Sequence, residues 1–283
     1  MIDGYTVICA TWMTNVVKNG YYPVTHKCLE SFANTSFVDH VIVAEGQSVD
    51  DTIALHSDIP KVTFIDAPYW NTDELDMPNT DKQLTAIIQY VNKNFINAIL
   101  VMYCADVIFS QNFRNELESE IKRLIASDCD FVNLTFAKII TKDIREQTRR
   151  FRECFHTYSA IKFDKDHSWR EIKSEKYLID SCGNNSVNRL SPKSDISHPA
   201  LSYETFLFTE AQMHEKARKH IAWNESWTMH DIFQQKILPK LGRNPVCMTN
   251  KHPDEAKDLL DALSDDVQGH SFFDVLEIEI VND

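Results

Sequence analysis

Two stretches of this 283-residue chain place a carboxylate at the end of an apolar run, and a carboxylate so placed demands a partner. The first is Ile99-Leu100-Val101-Met102-Tyr103-Cys104-Ala105-Asp106-Val107. An ionised carboxyl at the end of a buried strand is strongly disfavoured unless a metal ion, a buried cation or a cluster of hydrogen bonds compensates it. A cap on a helix near residue 112 is the structural use open to Asp106. The second stretch is Val43-Ala44-Glu45-Gly46-Gln47-Ser48-Val49-Asp50-Asp51-Thr52. It ends the β-branched run from Val38 to Val43, which reads as a strand. Its Gly/Ser/Asp turn offers backbone N–H groups and carboxylates at the carboxyl edge of a sheet, where open α/β sheets bind ligands. Among the eleven histidines, His198 precedes Pro199, which biases it to extended backbone at a segment boundary. His156 and His167 compete with it.

The elements that must position these groups follow from periodicity. Tyr5 to Thr11 reads as a first buried strand, Val38 to Ala44 as the second and Lys61 to Asp66 as the third. Pro23 to Ala33 has helical spacing through Val24, Cys28, Leu29 and Phe32. Asp81 to Phe95 is the clearest helix, with Leu84, Ile87, Ile88, Val91 and Phe95 on one face. Ala98 to Cys104 reads as a central strand, and Asn112 to Ala126 as an amphipathic helix. This alternation predicts an α/β fold: an open, mostly parallel twisted sheet with helices on both faces. Beyond it, Asp130 to Ile140 and Arg150 to His156 read as strands. Residues 164–198 read as polar and irregular, with a loop tip at Gly183-Asn184-Asn185-Ser186. Helices are expected over 209–221, 228–241 and 253–263, and a strand over 272–281. With no repeat and no linker, 1–283 reads as a single domain, its two halves being 1–126 and 127–283.

Composition excludes several classes. Six glycines, with no G-x-x-x-x-G-K-S/T and no G-x-G-x-x-G, argue against a Gly-rich phosphate loop. Seven scattered cysteines without a C-x-x-C argue against a disulfide framework or a zinc site. No basic leader and no apolar run of membrane length is visible, so a cytoplasmic location is the default expectation. The net charge of −13 is uneven: −8 over residues 1–80, −9 over 253–283 and +4 between them. Such asymmetry suits either an anion-binding middle or a solvated surface with chance clustering.

The motif at Glu45 resembles the second-strand motif of family-2 glycosyltransferases of the GT-A kind, commonly V-D-D-G-S-x-D-x-T. Ala44 stands for its first Asp and Glu45 for its second. Cys104-Ala105-Asp106 is similar to the D-x-D motif of these enzymes in a form that keeps one Asp. Asp81-Lys82-Gln83-Leu84-Thr85 resembles their G-K/R-x-x-N helix start without its Asn. Arg150 to Glu153 resembles a strand facing the donor, Ser197-His198-Pro199 a metal-completing histidine, and Thr209 to Lys216 the helix after it. His252-Pro253 matches weakly. The resemblance implies transfer of a sugar from a nucleotide-diphosphate donor to an acceptor hydroxyl. It implies nucleotide-sugar contacts from Thr11, Trp12, Glu45, Lys82, Asp106 and Lys216; Trp12 is suited either to stack on the base or to serve as a core aromatic. It implies a divalent cation, Mn²⁺ or Mg²⁺, held by Asp106 and His198. Arg152 would stabilise the leaving diphosphate, and Glu153, beside it, is the candidate general base, with a salt bridge to Arg149 or Arg150 as its structural alternative.

The acceptor is open. A saccharide or other small hydroxyl compound is one reading. Lys138, Lys142, Arg145, Arg149, Arg150 and Arg152, with Lys216, Arg218 and Lys219, are basic enough for modified duplex DNA to be another. The Asn-, Ile-, Asp- and Lys-rich composition suits a viral enzyme of that type acting on hydroxymethylated bases. A non-catalytic nucleotide-sugar-binding module is a third, favoured by loss of the first D-x-D Asp. A nucleotidyltransferase would carry a Gly-rich first loop with Arg and Lys, and Thr11-Trp12-Met13-Thr14-Asn15 has neither.

Overall fold

A computed structural model of the chain describes residues 1–18, 21–67, 80–139, 145–148, 158–173, 177–184, 194–202 and 248–249. The elements are β1 (Thr6–Met13), α1 (Tyr22–Ala33), β2 (His40–Glu45), β3 (Val62–Asp66), α2 (Thr80–Asn94), β4 (Ala98–Met102), β5 (Val107–Ile108) and α3 (Gln111–Ile125). They continue as β6 (Phe131–Asn133), β7 (Phe136–Ile139), β8 (Arg145–Thr148), β9 (Ser159–Phe163), β10 (Trp169–Lys173), β11 (Tyr177–Asp180), β12 (Ala200–Ser202) and β13 (Met248–Thr249). The chain divides into two compact units. One comprises Met1–Trp70, Pro78–Phe136 and Arg149–Ala200; the other comprises Asn71–Met77, Ala137–Thr148 and Leu201–Asp283. In the second unit β8 pairs antiparallel with β13, Arg145 opposite Thr249 and Glu146 opposite Met248.

The first unit is built on a six-stranded sheet in the order β3-β2-β1-β4-β9-β6. β1 is parallel to β2 and β4, and β2 is parallel to β3. β9 runs against its neighbours β4 and β6. The expected mostly parallel sheet is therefore present, and β9 is its antiparallel exception. β1, β2 and β4 run one way, so their last residues, Met13, Glu45 and Met102, share one edge.

The two-residue period of a strand divides the core. On one face Ile8, Ala10, Ile42, Ala44, Ala98, Leu100 and Met102 pack with Leu84, Ile87, Ile88 and Val91 of α2. On the other face Val7, Cys9, Val41, Val43, Ile99 and Val101 are equally buried. α1 and α3 are the helices left to cover it, through Cys28, Leu29 and Phe32 and through Phe113, Leu117, Ile121 and Leu124, all at most 1% exposed. Each fully buried aliphatic or aromatic side chain contributes about 1.5–3 kcal/mol.

Helix ends are handled locally. Pro23 lies in the first turn of α1, where a missing N–H does no harm. Ser110 caps α3, its hydroxyl accepting from the Phe113 N–H at 3.2 Å. The cap considered for Asp106 is thus supplied by Ser110. Two lysines tie down the chain after helices: Lys61 holds the loop that follows α1, and Lys162 the C-terminus of α3, where carbonyls lack partners and the helix dipole favours a cation. Lys61 Nζ donates to the Thr35 and Val38 carbonyls after α1, at 3.3 and 2.7 Å. Buried Lys162 donates to the Leu124 and Ser127 carbonyls at 3.4 and 2.6 Å.

Two expectations are corrected. The strand expected over Asp130 to Ile140 stops at Asn133 and resumes at Phe136. At the break the Leu134 N–H goes to the Tyr158 carbonyl at 2.9 Å, and the Thr135 carbonyl accepts the Tyr103 hydroxyl at 3.0 Å. The stretch 164–198, expected to be irregular, contains the hairpin of β10 and β11. Its inward residues Trp169, Ile172 and Leu178 are at most 2% exposed and pack in the α2 cluster. Thr85 of α2 accepts the Ile172 N–H at 3.0 Å, Asn92 donates to the Trp169 carbonyl, and the Trp169 indole N–H donates to the Lys162 carbonyl at 2.9 Å. α2 is consequently covered twice, by the sheet and by the hairpin. The strand expected at 150–156, the three helices between 209 and 263 and the strand over 272–281 lie outside the described residues.

Candidate functional site

At the end of β2 the carboxylate of Glu45, 5% exposed, turns onto its own loop. It accepts the N–H groups of Gln47 and Ser48 at 2.9 and 2.8 Å and the Ser48 hydroxyl. The loop is then tied to the one after β1. Ser48 Oγ accepts the Asn15 N–H at 2.7 Å, Asn15 Oδ1 accepts the Val49 N–H at 2.9 Å, and Thr52 Oγ1 accepts the Val16 N–H at 3.0 Å. Asp50 accepts the Lys18 N–H at 2.7 Å, the Thr52 N–H at 3.0 Å and the Thr52 hydroxyl. Burial alone would raise the Asp50 carboxyl, but these donors outweigh it and hold the group below the ordinary carboxylate value. The S-x-D-x-T pattern of Ser48, Asp50 and Thr52 thus holds two loops together at the carboxyl edge. Gln47, an extra residue relative to the resembled motif, adopts φ +59°, and Asn15 opposite adopts φ +49°.

Beside this edge, β4 leads into Cys104-Ala105-Asp106, half-buried throughout. Cys28 Sγ of α1 donates to the Cys104 carbonyl at 3.7 Å, and Cys104 Sγ lies 2.9 Å from the Tyr158 hydroxyl. Burial, then the nearby Asp106 charge, push the Cys28 thiol well above its ordinary value, so it stays neutral. Asp106 therefore sits on the α1 side of the sheet, next to the end of β1.

His198 is exposed and bound to α3. Its ring Nδ1 is 2.6 Å from Glu116 Oε1, and its N–H donates to Glu116 Oε2 at 2.8 Å. The Ser197 N–H and hydroxyl also reach Glu116, at 2.7 and 2.6 Å. Burial opposes ionisation of Glu116, but these donors hold its carboxyl below the ordinary value. A carboxylate on Nδ1 fixes the tautomer that leaves the Nε2 lone pair for a ligand, the arrangement common behind metal-binding histidines. His167 has no such vacancy: Nδ1 meets Asp164 at 2.7 Å and Nε2 meets Asp130 at 3.1 Å. His156 lies outside the described residues.

Among the described residues no group of three or more His, Cys, Asp or Glu side chains could by itself hold a metal ion. A full protein cage is thus lacking there. One carboxylate with substrate phosphates and water is, however, the usual way Mg²⁺ is bound, and Asp106 fits that limited role.

The two residues proposed at the end of β1 part company. Thr11 points to the α1 face, opposite Val43, fully buried, with no partner for its hydroxyl. Trp12, opposite Ala44, is half-buried against the α2 cluster. Lys82, in the first turn of α2, is exposed. Beside it Gln83 is fully buried, and neither its Oε1 nor its Nε2 has a hydrogen-bond partner. Sequence reading passed over Gln83 as part of a helix start. Its signal is a polar residue one turn before Ile87, on the apolar stripe of an amphipathic helix. The described residues of the first unit thus bring Thr11, Trp12, Glu45 and Asp106 to the ends of neighbouring strands, Lys82 to the first turn of α2 and His198 to α3. Arg152, Glu153 and Lys216 lie outside the described residues.

No protein-family model matches the sequence, and no curated protein matches it. Solved structures do. A mycobacterial protein aligns with TM-score 0.35 and 14% identity over 48% of this chain and 42% of its own. Glucosyl-3-phosphoglycerate synthase from Mycobacterium tuberculosis, bound to phosphoglyceric acid, aligns with TM-score 0.33 and 13% identity over 48% and 44%. The same enzyme bound to Mn²⁺ and uridine-diphosphate-glucose gives 0.32 and 15% over 48% and 44%. The chain spans less than half the length of these matched structures. Overlap this partial assigns neither a family nor an activity.

Proposed function

We propose that the chain is a glycosyltransferase that moves a sugar from a nucleotide-diphosphate sugar to an acceptor hydroxyl, a saccharide or other small hydroxyl compound. The observation that carries this is the carboxyl edge itself. There the Glu45 loop, half-buried Trp12 and the acidic turn at Asp106 stand at the ends of adjacent parallel strands. Such an edge is where open α/β sheets take nucleotides.

Transfer breaks the bond between the anomeric carbon and the diphosphate, and charge grows on the leaving group. Asp106, with His198 oriented by Glu116, would hold a divalent cation, Mn²⁺ or Mg²⁺, which when bound neutralises that charge. Lys82, Arg152 and Lys216 would add fixed positive charge. Glu153 would take the proton of the acceptor hydroxyl if the reaction inverts. Glu45 would shape the nucleotide loop, keeping one acceptor direction of its Oε2 for the ribose.

Thermal unfolding with UDP-, GDP-, ADP- and TDP-sugars, with and without Mn²⁺, tests the proposal, because a ligand bound only by the folded state raises the melting temperature. At least one donor should do so and be slowly hydrolysed. Asp106→Ala should lose the metal-dependent part, and His198→Ala should weaken it. A protein that binds no nucleotide sugar is not this enzyme. Binding without turnover identifies the non-catalytic module. Retardation of hydroxymethylated duplex DNA, weakening steeply with salt, would assign DNA as acceptor.

A further inference from the structure

We infer that the nucleobase of the bound nucleotide is read by the side-chain amide of Gln83, with Trp12 as its stacking surface. This rests on the nucleotide-sugar reading of the same edge.

A primary amide has two donors and an acceptor with two lone pairs. Gln83 is fully buried with both ends of its amide unpartnered. Folding gains nothing from such a group, since burying a polar side chain without partners is destabilising. A leucine or methionine would suit the stripe better. Its position says what could complete it. α2 leads from the end of β3 back to the start of β4, so its first turns overhang the carboxyl edge. Gln83 lies one turn before Ile87, on the stripe that faces the sheet. On that face near the edge β1 and β2 present small residues, Ala10 and Ala44, with Ala67 after β3, all fully buried in the α2 cluster; Met102 opposite Ala10 and Ile65 opposite Ala44 flank them. Beyond them stands Trp12, half-buried against the same cluster. A flat aromatic surface, small neighbours and an unused donor–acceptor pair are what a heterocyclic base with adjacent N–H and C=O or ring-N groups requires.

Glu45 does not compete for this role. Its carboxylate already accepts three bonds from its own loop. It lies opposite Met13, one register step beyond the Trp12–Ala44 pair, and so belongs to the other face of the sheet. Adjacent strands are about 5 Å apart, so a base on Trp12 leaves the diphosphate within reach of Asp106 on the far side of β1. A neutral amide also differs from a carboxylate in what it accepts. A carboxylate demands two donors, whereas an amide pairs with one donor and one acceptor.

The test is titration calorimetry of the full chain with UDP, CDP, ADP, GDP and inorganic pyrophosphate. Wild type should bind at least one nucleoside diphosphate more tightly than pyrophosphate and should prefer one base. Gln83→Met, of equal length but without the amide, should lose that preference by about 10-fold to 100-fold. Its pyrophosphate affinity and helical circular dichroism should be unchanged. Gln83→Leu should behave alike. Gln83→Glu, which only accepts when ionised, should shift preference toward guanine, whose N1–H and N2–H lie side by side. Several outcomes overturn the assignment. If Gln83→Met keeps wild-type base preference, the base is read elsewhere and the nucleotide-sugar reading stands. If both neutral variants fail to fold, the amide is structural. If wild type binds neither nucleotides nor pyrophosphate, the inference and the reading beneath it fall together.

Discussion

Removing the Glu45 carboxylate should loosen the whole carboxyl edge, and the size of the effect can be worked out. Glu45→Ala removes the acceptor for two backbone N–H groups, those of Gln47 and Ser48, and for the Ser48 hydroxyl. Hydrogen bonds to a charged acceptor contribute about 1.5–3 kcal/mol each, offset in part by the desolvation that the carboxylate no longer suffers. A net loss of about 3 kcal/mol follows. The unit that holds Glu45 spans Met1–Trp70, Pro78–Phe136 and Arg149–Ala200. For a domain of that size 1 kcal/mol moves the melting temperature by about 2–4 °C, so a fall of roughly 6–12 °C is expected. Glu45→Gln keeps one acceptor oxygen but turns an NH₂ toward a buried N–H. It should cost about 2 kcal/mol, from one unsatisfied group. Ser48→Ala alone should cost about 1 kcal/mol, through the Asn15 N–H that Ser48 Oγ accepts. Because the two side chains touch, the double variant should be less destabilised than the sum of the single ones, by about 1 kcal/mol. Urea and thermal unfolding followed by circular dichroism measure all four proteins. An alanine variant melting within 2 °C of wild type, or strict additivity with Ser48, would refute an inward-facing Glu45.

Two further outcomes are expected. Gln47→Gly should raise stability by up to about 1 kcal/mol, because its φ of +59° is unstrained only for glycine. Gln47→Val should lower stability by about 1–2 kcal/mol; equal stability of the two variants in urea melts would show that the loop relaxes. Stability should also fall in acid in two stages. Burial, its main cause, pulls the His56 ring below its ordinary value, even though its Nδ1 meets the Thr52 carbonyl at 2.5 Å. The unfolded chain then binds more protons than the folded one as pH drops through about 6.5, so stability present above that pH is lost below it. Asp50, Glu116 and Asp164, all held below the ordinary carboxylate value, give a second loss only below about pH 4. Melting temperatures from pH 8 to 3 should show the first decline reduced in His56→Gln; an unchanged slope between pH 7 and 5.5 would exclude His56 as its source.

The sheet was legible because its strands are buried on both faces and read as unbroken apolar runs, as in Ile99 to Met102. Its helices were legible because one stripe of each is apolar, as in Leu84, Ile87, Ile88 and Val91. The hairpin of β10 and β11 escaped because only Trp169, Ile172, Leu178 and Ile179 are buried, too few to stand out among charged neighbours. Of the site, carboxylates at strand ends could be found by position. What each carboxylate does with its lone pairs could not. Glu45 bonding its own loop depends on backbone angles at Gln47. The pairing of His198 with Glu116 joins residues 82 apart in sequence, and no local pattern encodes it. Gln83 was visible as a polar interruption of a stripe, but its lack of partners shows only in three dimensions.

The double covering of α2 has a consequence for how the protein is made. Leu84 to Val91 can settle on the strands as soon as β1, β2 and β4 have left the ribosome. Their other neighbours, Trp169 to Leu178, emerge some 80 residues later, a delay of several seconds at ordinary rates of synthesis. Until then the nascent chain carries a helix with an unshielded flank. The interval between translating α2 and translating the hairpin is therefore when chaperone capture, or mispairing with another nascent copy, has its best opportunity.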